Sequence, residues 1–116
     1  MIFFIKFLQK MKNNIFQNIS KNYKEEMFET ILEKKSLKIE RIISNGQKTP
    51  DGEWYDQHWD EWVILLDGSA GLRFEGSNTI EMLAKGDYVY IPAGKKHRVE
   101  YTDTKQTTIW LAVHLK

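Results

Sequence analysis

The 116-residue sequence predicts an all-β domain, a sandwich or barrel of short strands led in by one short helix. Three observations predict it. From Leu37 onward, at least seven short strand-like segments follow one another closely. Glycine-bearing turns separate them, as in sandwiches and barrels. No stretch between them has the length and period of a crossover helix, which argues against a parallel α/β sheet.

The elements follow in order. Residues 22–35 read as the helix. Asn22 caps it and Glu25 is the reciprocal partner three residues on. Met27, Phe28, Ile31 and Leu32 fall on one apolar face, and Lys34 and Lys35 occupy the last turn, where the helix dipole favours cations. A shorter helical turn is placed at residues 14–19. Strands are then expected at residues 37–43, 61–67, 70–75, 79–84, 88–91, 97–101 and 107–115. Gly68, Gly76 and Gly86 stand in the turns. Pro92 ends the hydrogen-bonded run of its strand. Gly94 lets the chain bend, which sets His97 at the start of the next strand.

Composition narrows the class. With 41% hydrophobic and 28% charged residues the chain is globular. Its formal net charge is +1, so nothing electrostatic points to nucleic acid or an anionic membrane. There is no cysteine, which removes disulfides, thiolate metal sites and a cysteine nucleophile. The apolar opening, Met1 to Lys10, is too short to span a bilayer and lacks the layout of a secretion signal. Residues 1–20 are expected to be a flexible extension, or surplus ahead of a start at Met11, and residues 21–116 one domain with its leading helix. The cytoplasm is the default location.

The second half carries a spaced motif, Gly86-x5-Pro92-x-Gly94-x2-His97, followed by Tyr101. It resembles the second motif of the cupin superfamily, Gly-x5-Pro-x-Gly-x2-His-x3-Asn, with Tyr101 in place of the Asn. The back half of the first family motif is matched by Glu61-x6-Gly68. Its two histidine positions are not. Depending on spacing they hold Tyr55 and Gln57, or Trp54 and Asp56, while His58 stands too close to Glu61. The resemblance covers about residues 37–115, including Trp54-Tyr55-Asp56-Gln57 and Asp60-Glu61-Trp62-Val63. It implies the cupin double-stranded β-helix, a jelly roll, and implies that Glu61 turns inward.

Alternation along a strand then puts Val63 and Leu65 inward with Glu61, and Trp62, Ile64 and Leu66 outward. Tyr55 and Gln57 share the parity of Glu61 unless a bulge intervenes, in which case Asp56 or His58 enters instead. The expected pocket is Gln57, Glu61 and His97 with Tyr55 beside them. Tyr88 and Tyr90 share parity and are expected inward near His97, and Trp59 at a pocket mouth. His114, flanked by Val113 and Leu115, is expected to face solvent. The outward aromatics, Trp62 above all, suggest a homodimer.

Metal-dependent relatives use three His and one Glu. Here Glu61, His97 and Gln57, with His58 as a conditional fourth, imply at most a weakly held divalent ion such as Zn, Fe, Mn or Ni. No cofactor is expected with certainty. A buried Glu61–His97 pair satisfied by Gln57 or Tyr55 is the simpler reading. Lys95-Lys96-His97-Arg98 reads as a charged turn. No phosphate loop or nucleophile elbow is present. The leading function is a small-molecule-binding barrel without catalysis. The alternative is an enzyme of isomerase, oxygenase or decarboxylase type on a small polar or sugar-like substrate, with Glu61 or His97 as base and Tyr55 as proton donor. A structural or regulatory partner protein is the third reading.

Overall fold

The computed structural model describes residues 11–19 and 24–116. Eight strands form two sheets that face each other as a jelly roll. They are β1 (Met27–Lys34), β2 (Leu37–Ser44), β3 (Asp60–Asp67), β4 (Ser69–Phe74), β5 (Glu81–Ala84), β6 (Tyr88–Ile91), β7 (His97–Thr102) and β8 (Thr108–Leu115). The larger sheet has five strands in the order β1-β2-β8-β3-β6, and the smaller has three in the order β5-β4-β7. Every named pairing is antiparallel. Among the described residues, strand pairing does not join the sheets into one closed barrel. The molecule is an open sandwich.

The expected helix at 22–35 is not there. Asn22 lies outside the described residues, and 27–34 are strand β1, paired with β2 across a two-residue turn at Lys35 and Ser36. The apolar doublets at 27–28 and 31–32 that mimic a helical stripe have a different use. Phe28 pairs with Ile42 on the inner face and Met27 with Ile43 on the outer. A register shift between Thr30 and Leu32 absorbs Ile31 as the extra residue. Pairing with β2 thus overrides a local helical period, as tertiary context commonly does. Residues 15–18 form a turn, with Gln17 N–H bonded to the Asn14 carbonyl at 3.0 Å.

The other strands fall within a few residues of expectation. Gly68 shows why the turn between β3 and β4 needs glycine. Its φ is +88°, and a Cβ there would lie 2.6 Å from Thr108 Cα. Val63, Leu65, Ala70, Leu72, Leu83, Ile91, Trp110 and Ala112 are buried together between the sheets. No helix of the described residues is long and apolar enough to cross a membrane.

The outer side of the larger sheet is only partly covered. Arg41 is buried there, its guanidinium donating to the carbonyls of Ile15 and Gln17 at 2.8 and 2.6 Å and to Glu29. Residues 15–17 thereby cross the sheet at β2. Further along, Tyr88 lies against Trp62, with ring centroids 5.4 Å apart, in the open.

Candidate functional site

The site is built by the inner face of the larger sheet. On β3, Glu61 pairs with Ile91 of β6 and with His114 of β8, and cross-strand partners share a face. On β2, Glu40 lies opposite Ala112 and Ile42 opposite Trp110. The smaller sheet contributes Leu72, His97 and Val99 from across the sandwich. Between these walls lies a cavity of about 210 Å³. Its apolar lining includes Phe28, Ile42, Val63, Ile91 and Trp110, and its polar lining is Glu26, Glu40, Tyr55, Gln57, Glu61, His97 and His114.

One end of the cavity holds the four residues expected from sequence. Tyr55 and His97 exchange backbone hydrogen bonds, Tyr55 N–H to the His97 carbonyl at 2.7 Å and His97 N–H to the Tyr55 carbonyl at 3.1 Å. The Gln57 carbonyl accepts from Gly94 N–H at 2.7 Å. The 55–57 segment is thus laid along the turn that follows Pro92, and the side chains of Tyr55 and Gln57 line the cavity. Gln57 Nε2 donates to Glu61 Oε1 at 2.7 Å. His97 Nε2 stands 3.7 Å from the same oxygen, and the Tyr55 ring stacks on the imidazole at 5.5 Å. Glu61 is 7% and His97 5% exposed.

Arg98, next to His97, keeps this end in place. It is buried, and it donates to the carbonyls of Thr49, Pro50 and Glu53 at 2.8 to 3.1 Å. The Trp54 ring lies 5.8 Å from its guanidinium. One member of the basic run is therefore a clamp on the segment leading to Tyr55.

A second polar pair lies beside Glu61, whose cross-strand partner on β8 is His114. His114 Nε2 and Glu40 Oε1 are 2.9 Å apart, and both residues line the cavity. The expectation that His114 faces solvent is corrected by the register. Val113 pairs with Trp62 on the outer face, so the histidine between Val113 and Leu115 turns in with Ala112 and Trp110. The usable signal was the parity of Trp110, Ala112 and His114 on one strand. Glu40 needed the β2–β8 register as well, and Glu26 precedes β1, in the stretch read as helix.

Two further expectations are corrected. Tyr88 and Tyr90 do not face the pocket. They are 65% and 55% exposed, because Tyr90 pairs with Trp62 and Tyr88 with Ile64, both outward residues, while Val89 and Ile91 turn in. His58 is exposed in a bend and does not reach Glu61 or His97. Trp59, expected at a pocket mouth, lies in a groove with Glu33 and Lys38 that shares Glu40, Gln57 and His114 with the cavity.

Burial shapes the electrostatics. It pushes the Glu26 carboxyl above its usual range, partly offset by the Ser44 hydroxyl, which donates to it at 2.6 Å. Burial also raises the Tyr55 phenol, and the carboxylates of Glu26, Glu61 and Glu53 add to the effect. Tyr55 therefore keeps its proton at neutral pH.

The donor set does not fit a firmly held transition metal. Among the described residues no group of three or more His, Asp or Glu side chains is placed to hold an ion. His97 and Glu61 are a pair whose third neighbour is a neutral amide, and with His58 outside nothing raises the count toward the four ligands of a tight site.

Comparison with known proteins agrees with this architecture. The sequence profile of the cupin domain matches residues 43–114. A structure from Ralstonia eutropha JMP134, described as a candidate mannose-6-phosphate isomerase, is 45% identical with a TM-score of 0.89, over 92% of this chain and 99% of that one. A cupin superfamily protein from Desulfitobacterium hafniense DCB-2 has a TM-score of 0.73 at 15% identity, over 92% and 93% of the two chains. An RmlC-like cupin with a double-stranded β-helix from Methanocaldococcus jannaschii has a TM-score of 0.66 at 17% identity, over 84% and 86%. The latter two show the fold alone. No curated protein matches the chain. Motif, topology and profile together show that the chain belongs to the cupin family.

Proposed function

We propose that the cavity between the sheets is a binding site for a small polar organic molecule, with Tyr55, Gln57, Glu61 and His97 as its specifying wall. The observation that carries this reading is a buried carboxylate and imidazole, with a half-buried amide beside them, in a cavity otherwise walled largely by apolar side chains. Few convergent polar groups in an apolar recess are the usual layout of a ligand site. At about 210 Å³ the cavity is smaller than drug-sized pockets, which points to a ligand no larger than a monosaccharide. Titration calorimetry of wild type, Gln57→Leu and His97→Ala against monosaccharides tests it. Binding that both substitutions weaken supports the reading, and binding that neither alters overturns it. The binding needs no metal, so a chelator leaves affinity and melting temperature unchanged.

A second reading is proton transfer on such a molecule, and the similarity to the Ralstonia protein favours an isomerase over the other enzyme classes. Glu61 would take a proton from a carbon beside a carbonyl, and Tyr55, whose phenol stays protonated, would supply one to the carbonyl oxygen. Turnover of aldoses by wild type but not by Glu61→Gln supports it. Binding without turnover across the same sugars leaves the site a binding site only.

A further inference from the structure

The polar atoms of the cavity narrow its ligand beyond size, on the footing of the binding reading above. His97 Nδ1 lies 3.1 Å from the Lys95 carbonyl. A carbonyl only accepts, so in the neutral ring Nδ1 carries the proton and Nε2 presents a lone pair. What stands nearest Nε2 is Glu61 Oε1, another acceptor, at 3.7 Å. That is beyond hydrogen-bond reach. The residue is 5% exposed and lines the cavity, so a lone pair that no protein donor takes is available to a donor that a ligand brings. Glu61 repeats the pattern. Gln57 donates to its Oε1, and no hydrogen bond among the described residues reaches its Oε2.

The charge agrees with the hydrogen bonding. Glu26, Glu40 and Glu61 line the cavity, and among the described residues no lysine or arginine does. The cations near its mouth are engaged. Lys38 Nζ is 3.4 Å from Glu40 Oε2, and Lys116 Nζ lies over the Trp59 ring at 5.5 Å. The Glu40–His114 pair lies beside Glu61, the cross-strand partner of His114, and brings the Glu40 carboxylate to the same wall. A phosphate brings more acceptors and more negative charge into a space that already has an excess of both, at low local dielectric.

We propose that the cavity selects a neutral or cationic ligand that offers hydroxyl or ammonium donors to His97 and Glu61, beside the closed Glu40–His114 pair, and rejects phosphorylated counterparts. The test is an NMR titration of the full chain at neutral pH with mannose, mannosamine and mannose 6-phosphate, following the ring signals of His97, His114 and Trp110. Mannose or mannosamine is expected to shift these signals with at least about tenfold higher affinity than the phosphate. A phosphate that binds equally well or better overturns the charge selection while leaving the cavity as a binding site. Failure of all three sugars to move the signals overturns the binding reading itself, and the selection with it. Glu40→Gln is expected to raise the relative affinity of the phosphate several-fold, and Glu61→Gln serves if that variant does not fold. Glu33→Gln, at the outer groove, should leave the ratio unchanged. A ratio unmoved by the substitution inside the cavity counts against the proposal.

Discussion

The two imidazole–carboxylate pairs of the cavity make an instructive contrast. Glu40 and His114 sit on adjacent regular strands and meet at 2.9 Å. Glu61 and His97 come from opposite sheets, stand 3.7 Å apart and depend on a loop to complete their surroundings. The first pair spends its hydrogen bond on itself. The second keeps capacity unspent. A closed pair contributes to the fold, whereas an open pair is available to a ligand, and the difference is set by which elements deliver the side chains.

The contrast can be broken most severely at Arg98. Replacing it by Met removes the donor to three carbonyls of the 49–53 segment, and we expect a loss of roughly 3–5 kcal/mol in chemical denaturation, as when a buried charge network loses a member. The disturbance should reach the His97 signals before those of His114. Removing the closed pair comes next. His114→Ala should cost about 1–3 kcal/mol through a lost charge-assisted bond in a largely buried setting. His97→Ala should cost less stability and more ligand affinity, and calorimetry with denaturation would show whether the two rankings are opposite. The same rank in both measurements would dissolve the distinction.

The smallest effect concerns Glu26. Burial raises its carboxyl in the folded state, so folding favours the protonated form. The sign follows directly. Stability linked to this group is present at acid pH and lost as pH rises through the raised folded value. Glu26→Gln should therefore raise the melting temperature at neutral pH by an amount worth under about 1 kcal/mol, and the gain should vanish in acid, below the ordinary carboxylate range. A gain that persists at acid pH would trace the effect to packing.

How much of this was legible in the sequence depends on the range of the forces involved. The strand frame was legible because glycine turns and strand alternation are local. The wall of Tyr55, Gln57, Glu61 and His97 was legible because motif spacing and parity sufficed. Residues 27–34 misled because the same apolar doublets serve a helix face and a bulged strand, and only the pairing with β2 decides. Tyr88 and Tyr90 misled because parity within a strand says which residues share a face but not which face it is. The pairing of Tyr90 with Trp62 settles that. Glu40 and His114 stayed hidden for the same reason, since neither belongs to a spaced motif and only long-range register joins them.

The backbone bridge between Tyr55 and His97 has a consequence for how the protein could be watched at work. It is an isolated pairing of two amide hydrogen bonds, not part of a ladder. Amides held by so short a tie open more often than those within continuous strands. Their solvent exchange should therefore be fast for so buried a histidine, and a bound molecule spanning Gln57 and His97 would slow it. Two exchange rates would then report occupancy of the cavity without any label on the ligand.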